Sequence, residues 1–262
     1  MRKSSVVQCL SLILITATLT LADEWKKNFT VSGQADLRID VTDGEVTVHA
    51  WERNEINARV TTEGWKIAPS EVRVTDRQAG SRIDIDVRTP RMNISFGRHS
   101  VHVELQVPRE LRAEIHSGDG RIVVQDLKGE IHLSSGDGSI EADSVDGIFE
   151  AKTGDGRIRA SGRWNRLDLE THDGSIEAEV RTGSKMSSSW RVRTGDGHVD
   201  VRLPENFAAD LDAHTGDGKI TIEFPATVSG SLNNSGLRSK LNGGGETLLV
   251  RTGDGPIHIR RL

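Results

Sequence analysis

Apolar and polar residues alternate strictly on both sides of a four-residue turn that recurs seven times along this chain. The turn reads Ser/Thr-Gly-Asp-Gly, and one copy has His172 in place of its first glycine. Every position is apolar three and five residues after each turn aspartate, and four and six residues before it. The intervening positions are mostly charged or polar, as at Glu141 and Arg159. This period of two predicts a short half-buried β-strand on each side of the turn.

The spacing of the turns predicts how the strands assemble. The first four turn aspartates are 18 residues apart, and the later gaps are 23, 21 and 37 residues. One such unit cannot bury its apolar residues alone, so the repeat predicts a stack. The expected fold is all-β, a parallel β-helix or β-solenoid of about 18-residue coils with an N-terminal β-hairpin cap. An antiparallel sandwich is the alternative, although it does not explain the constant period.

The turn residues are interpreted as structural corners, with no catalytic, cofactor-binding or metal-binding role. A final glycine is present in all seven copies, as expected where the backbone needs a positive φ. The aspartate can hydrogen-bond to the backbone two residues on. The Ser/Thr hydroxyl can do the same or stack as a ladder inside the solenoid. The predicted corner residues are Asp119, Gly120, Asp137, Gly138, Asp155, Gly156, Asp173, Gly174, Asp196, Gly197, Asp217, Gly218, Asp254 and Gly255.

The charge of the stacked aspartates bears on whether the turns need calcium. Neighbours about 4.8 Å apart would repel by only ~0.9 kcal/mol per pair in water. Cations beside the turns, such as Arg121, Arg193 and Arg251, are expected to neutralise this ladder without a metal. A calcium-binding β-roll remains an alternative, but it would need several oxygen ligands per ion. The nine histidines are scattered, so a transition-metal site is not expected.

Both ends of the repeat are expected to be protected. A first coil surrounds Asp43 and Gly44, and residues 45–110 are interpreted as hairpin-like excursions that cover this end of the stack. At the other end, Pro256 and the pair Arg260 and Arg261 suggest edge protection. The 37-residue gap is expected to hold two coils with a degraded turn between them. The predicted regions are 23–110 for the cap and first coil and 111–262 for the solenoid, continuous as one domain.

The first 22 residues are predicted to be a cleaved Sec-type signal peptide rather than a retained membrane anchor. Arg2 and Lys3 precede a mostly apolar stretch, and small residues before Asp23 suit a cleavage site. Cleavage would change the formal net charge from −5 to −7 and would remove Cys9, the single cysteine. No later run is apolar enough to span a membrane, and no basic block suits nucleic acid. A periplasmic or secreted location is therefore expected.

Together, the early Asp-Gly coil, the segment from Leu105 to Pro108 and the serial Ser/Thr-Gly-Asp-Gly-x-Ile units resemble a bacterial family of unknown function. This is the "putative adhesin" family, which is expected to form a β-solenoid. The resemblance covers residues 35–260. It implies a role at the cell surface or envelope and brings no catalytic residues. The chain has no visible anchor or translocator domain, unlike many surface adhesins.

The expected function is that of a noncatalytic exported envelope or surface protein, an adhesin-like scaffold that binds a protein or another cell-envelope ligand. A polysaccharide-acting β-helix enzyme is the second alternative, but no unique pair of carboxylates interrupts the repeat. Among the five tryptophans, Trp51 and Trp65 are the candidates for exposed contacts. Two stretches, 181–189 and 225–245, interrupt the repeat and could carry binding residues.

Overall fold

The computed structural model describes residues 22–90, 99–224, 226–228 and 236–262. The predicted signal peptide therefore lies outside the described residues except for Ala22, and so does part of the stretch 225–245. All regular structure in the described part is β-strand, and no helix there is long and apolar enough to span a membrane. The strands are β1 Asp23–Thr30, β2 Ala35–Val41, β3 Glu45–Trp51, β4 Glu55–Glu63, β5 Arg73–Ala79, β6 Arg82–Arg88, β7 Ser100–Pro108, β8 Glu110–Ser117, β9 Ile122–Gln125, β10 Lys128–Ser135, β11 Ile140–Asp143, β12 Asp146–Thr153, β13 Ile158–Gly162, β14 Trp164–Thr171, β15 Ile176–Val180, β16 Trp190–Thr194, β17 Val199–Leu203, β18 Ala209–Asp217, β19 Ile220–Ile222, β20 Ala226–Val228, β21 Gly236–Leu241, β22 Thr247–Asp254 and β23 Ile257–Arg261.

The strands form two sheets that face each other. Sheet A has the order β1-β4-β7-β3-β9-β11-β13-β15-β17-β23-β19. Sheet B has the order β20-β21-β18-β22-β16-β14-β12-β10-β8-β2-β6-β5. Each repeat gives one strand to sheet B and, after the turn, one strand to sheet A, and such a pair is called a rung here. The two sheets share nine rungs.

Neighbouring rungs pair in parallel and in register, which confirms the predicted solenoid. Ile131 lies opposite Ala113 on one side and Phe149 on the other, and Ala142 lies opposite Ala160. Equivalent positions of the repeat therefore stack on one another. The expectation of stacked coils is correct, and the sandwich alternative is wrong.

The N-terminal end differs from the expected hairpin cap. β6 and β7 form an additional parallel rung outside the first coil, β2 and β3, which in turn pairs with β8 and β9. The antiparallel strands β4 and β1 extend sheet A beyond β7, and β5 extends sheet B beyond β6. The region thus combines an extra rung with antiparallel edge strands. Alternating residues satisfy either role, because both bury one face of a strand.

The C-terminal end repeats this out-of-order arrangement. The last rung, β22 and β23, lies between the rung of β16 and β17 and the rung of β18 and β19. The expected two coils in the 37-residue gap are therefore wrong, because that segment contains β19 and the antiparallel strands β20 and β21. The expectation that Pro256 and the arginines protect an edge is also wrong, since β23 is internal. At this end of the stack, the edge strand of sheet A is β19.

The inward residues of the two sheets form one hydrophobic core. Nearly all of the apolar positions predicted to face inward are buried, and the exceptions, Ile220 and Ile222, are half-buried on the edge strand β19. Aromatic side chains fill the middle of the stack. Trp164 contacts Phe149 and Trp190, with ring centroids 6.0 and 6.3 Å apart. A rigid interior of this kind holds the outward side chains at fixed spacings.

Candidate functional site

The seven turns line up along one corner of the solenoid, so the structure brings all fourteen predicted corner residues into a single ladder. Thr171 lies in register with Thr153 and Thr194, and Asp217 lies in register with Asp254. The order along the ladder follows the rungs and not the chain, because the last turn lies between the fifth and the sixth. The ladder is continuous with the early coil at Gly44.

The Ser/Thr hydroxyls of the turns are buried and join successive rungs. Thr171 Oγ1 donates to the carbonyl oxygen of Gly156 in the rung before it, at 3.0 Å, and accepts from the amide of Gly174 in its own turn, at 3.2 Å. Ser117 makes the same bond to the carbonyl oxygen of Gly44 at 2.8 Å. These bonds satisfy backbone groups that the corner would otherwise leave buried without partners.

The final glycines of the turns are required for a reason other than the expected one. Of the seven, all within the described part of the chain, only Gly255 has a positive φ, 153°. At Gly138 and Gly156 a Cβ atom would lie less than 3.0 Å from the carbonyl oxygen of the matching glycine in the preceding rung. The expectation of a positive φ is therefore wrong at six positions. The close approach of successive backbones excludes a side chain there.

The turn aspartates are exposed, and the expected neutralisation by nearby cations is wrong. Arg193 pairs with Glu170 at 3.0 Å, and Arg251 pairs with Asp212 at 2.8 Å. Arg121 pairs with another carboxylate outside the turns. Among the described residues, the one ion pair to a turn aspartate joins His172 Nε2 to Asp173 Oδ1 at 3.8 Å. These cations therefore pair with outward carboxylates on the strands and not with the aspartates of the turns.

Metal ligands do not gather at this corner. Within ranges 22–90, 99–224, 226–228 and 236–262, no group of three or more His, Cys, Asp or Glu side chains is placed to hold a metal ion. Each rung presents one carboxylate at the corner, whereas calcium takes six to eight oxygen ligands. The turn ladder by itself therefore offers a sparse set of ligands.

The outward face of sheet A contains a groove of about 290 Å³ that crosses β9, β11, β13, β15 and β17. Its walls are two rows of side chains on alternate positions of these strands. The inward methyl groups of Ala142, Ala160 and Ala178 are buried, so backbone forms the floor between the rows. We call this feature the sheet A groove. Its charged walls are Glu141, Asp143, Arg159, Glu177, Glu179, Arg181, Asp200 and Arg202.

Ion pairs between rungs fix the walls of the sheet A groove. Arg159 Nε lies 3.1 Å from Glu177 Oε2, and Arg181 Nη2 lies 3.0 Å from Asp143 Oδ1. Burial raises the pKa of Glu177, but the hydrogen bond and charge of Arg159 outweigh it and hold that pKa below its ordinary value. Glu177 is therefore charged at neutral pH. Five acidic and three basic side chains line it, which leaves it net acidic.

The outward face of sheet B carries a second charged network. His132 bridges two carboxylates, with Nε2 3.0 Å from Glu130 Oε1 and Nδ1 3.2 Å from Glu150 Oε2. The hydrogen bond from His132 lowers the pKa of Glu130 below its ordinary value. The hydrogen bond from Lys152 does the same for the pKa of Glu150. The imidazole of His132 thus links carboxylates of two neighbouring rungs, on β10 and β12.

The two candidate tryptophans both have contacts within the chain. The guanidinium of Arg53 lies over the Trp51 ring, 5.1 Å from its centroid, and Trp51 Nε1 donates to the carbonyl oxygen of Glu55 at 2.7 Å. The Trp65 ring lies 4.7 Å from the ring of His99. One face of each ring is therefore covered, which leaves less surface for stacking on a ligand.

These features together are those of a stacked, two-sheet repeat protein, and residues 34–260 match the Toastrack DUF4097 family. The chain belongs to this family. The assignment confirms the resemblance to the "putative adhesin" family. No curated protein matches the chain.

Solved structures with similar folds cover nearly all of this Toastrack chain. A "putative cell adhesion protein" from Clostridium sporogenes is 12% identical, covers 92% of this chain and 100% of its own, and has a TM-score of 0.40. A "putative adhesin" from Parabacteroides merdae is 10% identical, with 92% and 96% covered and a TM-score of 0.46. A "putative lipid binding protein" from Parabacteroides distasonis is 11% identical, with 92% and 97% covered and a TM-score of 0.37. At such identities and TM-scores, these names describe those proteins and do not assign a function to this one.

Repeat periodicity does not identify the groove residues. Their outward positions predict only solvated charges. The repeat does not show which sheet face carries a groove with exposed backbone between two rows of side chains. The alternation of sign along one offset, at Glu141, Arg159 and Glu177, is the signal that could have found them. In a parallel stack equal offsets become neighbours, so such a run predicts ion pairs between rungs.

Proposed function

We propose that this Toastrack protein is an exported, noncatalytic, adhesin-like scaffold that binds a protein or another envelope component along the sheet A groove. The observation that carries the proposal is the groove itself, which crosses five neighbouring rungs. Its backbone floor and its cross-linked charged walls are held by the core beneath them. A surface that is already ordered loses little conformational entropy when it binds.

The corner ladder has a structural role in this proposal. The hydroxyl bonds of the turns connect rungs, and the turn glycines allow the backbones to approach. The aspartates then lie on the outside of a corner that is already satisfied by other groups. We infer that Asp119 and its equivalents shape the turn and that the binding groups lie on the sheet faces.

Export and a single continuous domain belong to the same proposal. The predicted signal peptide, residues 1–22, would direct the chain out of the cytoplasm, and the mature protein would begin at Asp23. The described residues from β1 to β23 contribute to one core, which supports a single domain that includes both the cap and the solenoid. N-terminal sequencing of the protein recovered from cell fractions tests export, and an intact Met1 on the bulk of the protein would contradict it.

The binding proposal is tested with fluorescently labelled protein and envelopes isolated from the cells that produce it. The groove variant combines Glu141→Ala and Glu177→Ala, which removes two wall carboxylates and keeps the floor. The control is Glu110→Ala, an exposed carboxylate paired with Lys128 on sheet B. We expect saturable binding of the wild type and the control, with at least several-fold weaker binding of the groove variant. Equal binding of all three proteins would refute the role of the groove.

A further inference from the structure

The segment 181–189, which separates β15 from β16, is held firmly against β14. In the regular repeat, two residues connect β11 to β12, whereas here nine residues intervene. The amide of Lys185 donates to the carbonyl oxygen of Trp164 at 3.1 Å, and the amide of Ser187 donates to that of Asn165 at 3.0 Å. The indole Nε1 of Trp190 donates to the same Asn165 oxygen at 3.1 Å. The insertion therefore forms a fixed wall on sheet B.

A pocket of about 500 Å³ lies between this wall and the outward face of β14 and β16. Its polar lining comprises Arg166, Asp168, Ser188, Ser189 and Arg191. Four of these five side chains carry hydrogen-bond donors. Asp168 is the one carboxylate, and it pairs with Nη2 of Arg191.

Asp168 has the environment of a positioning residue. Its side chain is 6% exposed although it occupies an outward position of the repeat. One oxygen holds the guanidinium of Arg191, and the other, Oδ1, is buried without a hydrogen-bond partner. A buried carboxylate orients a guanidinium well, since the charge-assisted bond is short and directional. Arg191 is thereby held with its remaining donors directed away from Asp168, and the side chain stays half exposed.

Arg166 is the second guanidinium of the pocket, and it has no ion pair or hydrogen bond within the described part of the chain. Its neighbour across the strand on β12 is Ile148. In the same row, Arg112 on β8 and Glu130 on β10, three and two rungs earlier, lie opposite each other and pair at 3.0 Å. Arg166 thus lacks the acidic partner that Arg112 has, and the insertion places the hydroxyl groups of Ser188 and Ser189 beside it.

We propose that this pocket binds a phosphate group carried by a ligand outside the chain. Two guanidiniums and two hydroxyls offer more donors than the two oxygens of a carboxylate use, whereas a tetrahedral phosphate presents three or four acceptor oxygens. Arginine also matches phosphate in a bidentate manner. The pocket lies on sheet B, on the opposite side of the core from the sheet A groove. A negative result for this pocket would therefore leave the proposed binding along the sheet A groove untouched, and the reverse also holds.

Isothermal titration of the purified protein at pH 7.5 and low ionic strength tests the proposal, with inorganic phosphate as the first probe. Arg166→Ala is expected to weaken binding roughly tenfold, the loss typical of one charged hydrogen bond. The double variant Ser188→Ala and Ser189→Ala is expected to weaken it several-fold. Arg38→Ala is the matched control, because Arg38 also lies outward on sheet B, has no side-chain ion pair or hydrogen bond among the described residues and is far from the insertion, so it should leave binding unchanged. Unaltered melting temperatures would show that the variants are folded.

A second arm distinguishes a lipid headgroup from a free phosphate. Vesicles of phosphatidylcholine with and without phosphatidylglycerol are compared, and binding that requires phosphatidylglycerol and is lost in Arg166→Ala assigns the group to a lipid. Binding of inorganic phosphate alone assigns it to a soluble or glycan-borne phosphate. No binding of either probe, equal losses in Arg166→Ala and Arg38→Ala, or tighter binding of glucuronate than of phosphate would overturn the proposal.

Discussion

Each turn glycine lies against the carbonyl group of the neighbouring rung, and this contact determines what the position tolerates. At Gly156 a Cβ atom would meet the carbonyl oxygen of Gly138. At Gly245, outside the ladder, the nearest atom would be 3.5 Å from such a Cβ, which is an ordinary contact. At Gly156 the requirement for glycine therefore comes from the stack and not from the local backbone.

The first prediction compares these two glycines. Gly156→Ala forces a close contact with backbone that cannot move alone, so the free energy of unfolding should fall by about 3 kcal/mol, the upper part of the usual range for overpacking. Gly245→Ala should change it by less than about 1 kcal/mol. Urea denaturation followed by circular dichroism measures both. Equal effects of the two substitutions would contradict close approach as the reason for the turn glycine.

The second prediction concerns the buried hydroxyl of Thr171. Thr171→Val keeps the shape but leaves the Gly156 carbonyl and the Gly174 amide without their partner, which should cost about 1–3 kcal/mol of stability. Thr171→Ser keeps the hydroxyl and should cost less. Chemical denaturation of the pair distinguishes the hydrogen bond from packing. A valine variant as stable as the wild type would show that these bonds contribute little.

Between strands, outward charges act across rungs, and their effect on stability depends on pH. The folded-state pKa of Glu150 lies below the ordinary 4.5 because of hydrogen bonds and charge from Lys152 and His132. A carboxyl whose pKa is depressed on folding stabilises the fold fully above 4.5. That contribution is lost as the pH falls below 4.5 through the folded-state pKa.

The third prediction follows from the lowered pKa of Glu150 in the folded state. Glu150→Gln should lower stability by about 0.5–1 kcal/mol at pH 7, as expected for a partly exposed ion pair. Near pH 3 the difference from the wild type should shrink, because Glu150 is then becoming neutral in both folded and unfolded chains. Glu52→Gln, which removes a carboxyl without an ion pair in the described residues, is the control. A difference that grows as the pH falls would contradict the prediction.

The strands and the inward positions of the repeat could be predicted from the sequence, whereas the order of the rungs could not. Period-two alternation identifies inward residues such as Ile140 and Val192 with no knowledge of their neighbours. Every rung offers nearly the same inward pattern, however, so that pattern alone does not show whether β18 or β22 lies beside β16. The pocket at Arg166 was beyond reach for a similar reason, since it depends on where the insertion folds back.

Across the whole molecule, the rungs at both ends of the stack are out of chain order. The first coil, β2 and β3, is the second rung from its end, because the later strands β6 and β7 lie outside it. The last rung, β22 and β23, is the second rung from the other end, because the earlier strands β18 and β19 lie outside it. The outermost rung at each end is thus held through a segment from near the terminus. Such crossing connections increase the long-range contacts that hold the ends of the repeat.

The fourth prediction tests this arrangement. Deleting residues 247–262 removes β22 and β23 from between two rungs, so β18 and β19 should lose their parallel partners. Hydrogen exchange should then show loss of amide protection in β18, with a lower melting temperature. Deleting Leu262 alone is the control, because this residue is 56% exposed. A sequential stack would instead keep β18 protected after the larger deletion.

Photo-crosslinking in the cells that produce the protein tests the binding surface most directly. A photoreactive residue is placed at Glu177 in the sheet A groove and, in a separate strain, at exposed Arg77 on β5. We expect a defined covalent adduct from position 177, competed by unlabelled wild-type protein, and none from position 77. Adducts of equal yield and identity from both positions, or no adduct from the groove, would show that the sheet A groove is not the binding surface.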